Sequence, residues 1–177
     1  MRILRPAVGL LLCAIALSGC VPGEPTEVPT PEPSSTPVFA SEEEALAAAE
    51  EAYAAYLAVS DAISQDGGAE PERIEPYVTP EWLEVELEAY RDFSSSGVRQ
   101  SGSTTFSNAT LQSSSDREAT IYACTDSSAT RFVDSSGQDV TPDDRQVLTS
   151  VQVTFRIQDG DLRLEGLAPW GDNSFCS

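Results

Sequence analysis

The chain contains no lysine and no histidine; all ten of its basic residues are arginines. Without an imidazole, Ser–His–Asp and Cys–His nucleophilic systems cannot be assembled in their usual form. Without lysine, Ser–Lys transpeptidase motifs and phosphate-cradling P-loops are excluded as well. Thiols are scarce too, with four cysteines in 177 residues, so zinc lacks most of its customary ligands and no metal site or cofactor is expected. Against the ten cations stand 29 acids, a formal charge of −19. Nucleic-acid affinity comes largely from Lys and Arg neutralising phosphates, so nucleic acid is not an expected partner. Enzymatic possibilities shrink to carboxylates and tyrosines. At 40% hydrophobic and 22% charged residues, the length allows one compact domain but not two of ordinary size.

Arg2 and Arg5 form a positive start, and Ala7 to Leu17 form an apolar run ending in the small pair Ser18 and Gly19. This has the layout of a signal peptide and is too short for a membrane span, which needs about 20 apolar residues. Leu17-Ser18-Gly19-Cys20 resembles the bacterial lipobox, which implies that Cys20 is diacylglyceryl-modified and becomes the first residue after cleavage. The alternatives are an ordinary secretory signal cut elsewhere and an uncleaved anchor. Two acyl chains hold a protein on a membrane where one binds only reversibly. With residues 1–19 removed, eight arginines against 29 acids leave −21, so the folded part is expected to stand off an anionic surface.

The next segment is composed to permit that. Residues 21–38 hold six of the twelve prolines and no aromatic residue, too little to build a core. Extended at about 3.1 Å per residue, eighteen residues reach roughly 50 Å. A spacer and a simple tether fit equally. The expected organisation is therefore a lipoprotein signal at 1–19, a lipidated Cys20 with a Pro-rich linker to 38, and one domain over 39–177.

Within that domain Ser41, followed by Glu42, Glu43 and Glu44, opens a helix with a capping box and acids at the positive end of the dipole. Leu46, Ala49, Tyr53, Tyr56 or Leu57, Ser60 and Ile63 then recur at helical spacing until Gly67-Gly68. A short turn over Pro71–Pro76 precedes Thr79-Pro80, an N-cap with proline at N1, which starts a second helix to about Phe93. Its expected apolar stripes are Trp82, Val85, Ala89 and Phe93, and beside them Leu83, Leu87 and Tyr90. From Ser101 the texture becomes strand-like, with period two clearest over Val147–Gln158, where Val151, Val153 and Phe155 alternate with polar residues. Asp159-Gly160-Asp161 turns that strand into Leu162–Glu165. Thr104–Leu111, Arg117–Cys124 and Ala129–Val133 are further strands. Helices followed by about five antiparallel strands predict an α+β fold, with N-terminal helices packed on a curved antiparallel sheet of four to six strands.

Cys13 leaves with a cleaved signal and Cys20 carries lipid, so Cys124 and Cys176 remain. Outside the cytoplasm they are expected to pair, with two free thiols as the alternative. The stretches Ile121–Cys124, Thr125-Asp126, Ala129–Arg131 and Asp134–Pro142, with Trp170 and Phe175-Cys176, resemble a family of actinobacterial lipoproteins of unassigned function, similar to the NTF2-like (cystatin-like) group. The resemblance is carried by residues 121–177. It implies a cone-shaped α+β domain and a disulfide, and almost nothing about activity.

Two functional classes follow. One is a non-catalytic binding or adaptor module on the outer face of the bacterial cytoplasmic membrane, taking a small apolar molecule or an envelope protein, with Trp82, Tyr90, Phe106, Tyr122, Phe155 and Trp170 as pocket walls. The other is an isomerase, cyclase or dehydratase, in which a carboxylate base and a tyrosine donor act on a small apolar substrate, as in some NTF2-like relatives. Asp61, Asp92, Tyr53, Tyr90 and Tyr122 are its candidates. For Asp61, Asp92 and the acid runs Glu42–Glu44 and Glu81–Glu88 the default expectation is a solvated helix face. The Asp134–Asp139 loop departs from calcium-loop spacing and reads as a turn.

Overall fold

A computed structural model describes residues 38–171 and 173–176. The expected signal, Cys20 and the Pro-rich segment to residue 37 lie outside the described residues. The fold is α+β, with two α-helices and a 3₁₀ turn packed on a four-stranded and a two-stranded antiparallel sheet, and a second 3₁₀ turn, Asn173–Cys176, after the last strand.

Helix α1 spans Glu42–Gln65 and starts as its sequence dictates. Ser41 Oγ accepts the Glu44 N–H at 3.1 Å, and the Glu44 carboxylate reaches back to the Ala40 N–H; these contacts satisfy donors that a helix start leaves open. The helix ends where Gly67 and Gly68 take positive φ and Gly68 N–H bonds the Ile63 carbonyl at 2.8 Å. A Cβ on Gly68 would stand 2.8 Å from the Tyr90 carbonyl oxygen, so the glycine also allows close packing on the second helix. A 3₁₀ turn over Pro71–Tyr77 follows, then helix α2 over Pro80–Ser95 with Thr79 as N-cap.

Six strands follow: β1 Arg99–Ser101, β2 Thr105–Ser114, β3 Glu118–Asp126, β4 Arg131–Val133, β5 Leu148–Gln158 and β6 Asp161–Pro169. The main sheet runs β2-β3-β5-β6, and β1 pairs with β4 apart from it. Asp159 and Gly160, both at positive φ, turn β5 into β6, as the two-residue hairpin signal predicts. Strand β2 is one edge of the main sheet. Its register breaks between Ser107 and Thr110 and again between Leu111 and Ser113, with Asn108 at φ 55°. At the other edge, Val78 bridges Leu164 and the Thr79 N–H bonds the Leu164 carbonyl at 2.9 Å.

Successive strand residues point to opposite faces. Ala119, Ile121 and Ala123 of β3, Val151, Val153 and Phe155 of β5 and Leu164 of β6 form one buried layer with Ala49, Tyr53, Tyr56, Leu57 and Ile63 of α1. Helix α1 packs across β2, β3 and β6, and α2 packs against the 3₁₀ turn, β6 and α1. The opposite face around Tyr122, Cys124 and Ser150 is covered by the chain after β6. Cys124 and Cys176 are disulfide-bonded, with Cα atoms 5.2 Å apart, Trp170 stacks on Tyr122 at 4.0 Å, and Phe175 meets Trp170 edge-on at 5.3 Å.

Candidate functional site

The six aromatic residues expected to wall one pocket divide among several places. Phe155 is fully buried in the core. Tyr122 and Trp170 stack on the far face of the sheet. Trp82 and Tyr90 lie on α2, where Trp82 Nε1 donates to Glu86 Oε1 at 2.8 Å and the Tyr90 hydroxyl donates to Ser60 Oγ at 2.9 Å. Of the six, only Phe106 lines the cleft described next, and it also packs on the Tyr53 ring at 4.9 Å.

That cleft, about 460 Å³, lies between α1 and the connection from β1 to β2. Two adjacent rows of α1 form one wall, Ala54, Ala58 and Ala62 beside Leu57, Asp61 and Gln65; Ser103, Thr104, Thr105 and Phe106 form the other. Residues at i, i+4 and i+8 share a helix face, so the four-residue spacing sets this wall. The volume falls within the range of small-ligand sites.

Asp61 is buried, contrary to the solvated face expected for it. Its position explains why: four residues after Leu57 and eight after Tyr53, it continues a row of the core-facing side. Oδ1 accepts Gln100 Nε2 at 2.6 Å and Thr104 Oγ1 at 3.0 Å, and Oδ2 accepts the Thr104 backbone N–H at 2.7 Å. Gln65 Nε2 adds a bond to the Gly102 carbonyl at 3.0 Å. The residues 102–104 are thereby tied to α1. Gly102 has φ 75°, and a Cβ there would come within 2.1 Å of the Ala129 carbonyl oxygen; this loop therefore requires glycine both for its conformation and for its packing.

A second buried carboxylate corrects another expectation. Glu86 belongs to the acid run read as solvated, yet it is buried, accepting the Tyr56 hydroxyl and Trp82 Nε1, both at 2.8 Å. The phase of α2 differs accordingly: Val85 and Ala89 are exposed, while Glu86 and Tyr90 face inward. Burial, reinforced by the neighbouring Glu86 charge, pushes the Tyr56 phenol well above its ordinary range. Burial likewise pushes Tyr90 up to about 12 and raises Tyr53, whose hydroxyl lies 2.9 Å from Thr125 Oγ1. These phenols are held neutral, so none is an activated base. Asp92 is exposed as expected.

The Asp134 loop is a turn, also as expected. Asp134 Oδ1 accepts from Ser136 Oγ and from the Ser136 and Gln138 N–H groups, and these bonds, the Ser136 hydroxyl first, hold its carboxyl below the usual range. Among the described residues no group of three or more His, Cys, Asp or Glu side chains is placed to hold a metal ion.

No family model and no curated protein sequence matches the chain. Solved structures do. The chain is similar to the intermembrane space region of the chloroplast protein ARC6, with a TM-score of 0.55 at 10% identity over 72% of this chain and 97% of that one. It is also similar to Aln2 from a Streptomyces species, with a TM-score of 0.50 at 13% identity over 74% of this chain and 92% of that one. At such identity the likeness speaks for the arrangement of helices and strands alone.

In the sequence Asp61 is one candidate among several, and nothing there marks its partners Gln100 and Thr104. The signal available is an acid inside an apolar helical row, and Glu86, four residues from both Trp82 and Tyr90, carries the same mark.

Proposed function

We propose that this chain is a lipid-anchored protein of the bacterial cell envelope, held through Cys20 on the outer face of the cytoplasmic membrane. Its NTF2-like domain acts there as a non-catalytic binding or adaptor module. The observation that carries the reading is the bonded pair Cys124–Cys176, since structural disulfides belong to oxidising compartments outside the cytoplasm. The lipobox-like Leu17–Cys20 points to the same compartment independently.

Support for a binding role over a catalytic one comes from how the buried acids are used. Asp61 holds a loop and Glu86 is locked under Tyr56 and Trp82; Tyr56 and Glu86 do not line the cleft at Asp61. A carboxylate-dependent isomerase, cyclase or dehydratase would need an acid and a tyrosine donor together over a substrate cavity. Fractionation of cells expressing Cys20→Ala tests the anchor: the protein is expected to leave the membrane fraction, and continued tight retention overturns this part of the reading. Native mass spectrometry of protein isolated from its own envelope tests the rest. A co-purifying partner or unaltered small molecule is expected, and chemical conversion of a captured small molecule would establish the enzyme instead.

A further inference from the structure

Asp61 keeps one acceptor position that the fold leaves open. A carboxylate offers about four lone-pair sites. Gln100 and the Thr104 hydroxyl fill those on Oδ1, while Oδ2 accepts the Thr104 N–H alone. The residue is only 7% exposed, and among the described residues no arginine forms an ion pair with it. A cation brought within about 4–6 Å of such a carboxylate is attracted to it.

We infer that the cleft receives a lysine side chain from a basic partner protein, its aliphatic stem on Ala58, Ala62 and Phe106 and its ammonium on Asp61 Oδ2. This names the partner of the binding module proposed above and rests on that reading. Shape and charge select lysine. Guanidinium recognition of a carboxylate is commonly bidentate and uses both oxygens, but Oδ1 is already filled; a compact ammonium needs one open position. The α1 wall supplies methyl groups four residues apart, about 6 Å along the helix, against which a four-carbon stem covers apolar surface while its head is paired. The cleft is larger than one side chain, leaving room for flanking peptide. The chain has no lysine of its own, so a second copy cannot be the donor. Its net charge, −21 once residues 1–19 are removed, steers basic proteins toward it.

The test uses the full chain in detergent, two-dimensional NMR and acetylated tripeptides with a central lysine, arginine or norleucine. The lysine peptide is expected to shift the Thr104 amide and the Ala58 and Ala62 methyls saturably, with the arginine and norleucine peptides at least about tenfold weaker. Asp61→Asn and Ala58→Leu, one removing charge and the other filling the wall, should each weaken lysine-peptide binding by at least about tenfold. Because Asp61→Asn also loosens the 102–104 loop, Ala58→Leu, which leaves all three Asp61 bonds in place, decides the matter if the first variant unfolds. Equal binding of the norleucine peptide, absence of saturable shifts with the lysine peptide, or a free alkylamine binding as tightly as the peptide would each overturn the inference. Cys20→Ala fractionation is unaffected by all of these outcomes. Should a native partner stay bound to Ala58→Leu, the binding module stands and the lysine cleft falls.

Discussion

The two faces of the main sheet are held by different means although the same strands supply both. Toward the helices, β3 and β5 present Ile121, Ala123, Val153 and Phe155, all at 0% exposure, and the layer coheres by removing hydrocarbon from water, about 25 cal/mol per Å². On the other face the neighbouring positions are Thr120, Tyr122, Cys124, Ser150, Gln152 and Thr154. There, cohesion includes one covalent bond, two ring contacts and the approach of Ser150 Oγ to Cys176 Sγ at 3.5 Å. A period-two strand thus defines its apolar side by composition but leaves the polar side to be covered by whatever chain can be fastened over it.

Each half of that contrast can be challenged. The largest effect is expected from Phe155→Ala, which opens a cavity in the fully enclosed layer and should cost about 5 kcal/mol of unfolding free energy in urea titration. A loss below about 1 kcal/mol would show that the layer is looser than its burial implies. Cys176→Ser frees the covering segment and is expected to cost about 4 kcal/mol if closing the 52-residue separation acts on the unfolded chain. Signals from Ile121 and Val153 should stay native while those of Tyr122 and Trp170 change; coupled collapse of both faces would erase the distinction. The smallest effect is alkaline. Tyr56 and Tyr90 have raised folded-state values, so the unfolded chain loses these protons first. Their contribution is whole below pH 10 and is lost as pH rises above it, through about 12 for Tyr90, by at most about 1.4 kcal/mol per pH unit per tyrosine. Denaturation midpoints measured across that window should fall less steeply in Tyr56→Phe and Tyr90→Phe; an unchanged slope would mean that the phenols ionise as easily folded as unfolded.

Much of this architecture is legible without coordinates, because local chemistry marks its own boundaries. Ser41 and Gly67, Thr79-Pro80 and Asp159-Gly160 sit where caps and turns must, and α1, α2 and the β5–β6 hairpin begin or end there. Strand β1 escapes notice because Arg99–Ser101 is three polar residues with no alternation, and its existence depends on pairing with β4. The α2 stripe is misphased for a related reason. Apolar counting favours Val85, whereas the hydrogen bonds of Tyr56 and Trp82 bring Glu86 inside, and a partner such as Tyr56 is distant in sequence. The site is legible only in part: aromatic residues predict burial, not shared location, so the expected wall scatters over the core, α2 and the far face while the cleft forms around alanines, threonines and one acid.

The broken register of β2 shapes the edge that this strand presents. An intruding strand needs an uninterrupted ladder of free N–H and C=O groups, and two irregularities with Asn108 in a left-handed conformation deny it one. A strand approaching β2 from another copy would therefore meet an interrupted ladder, an obstacle to edge-to-edge pairing set by backbone geometry rather than by charge.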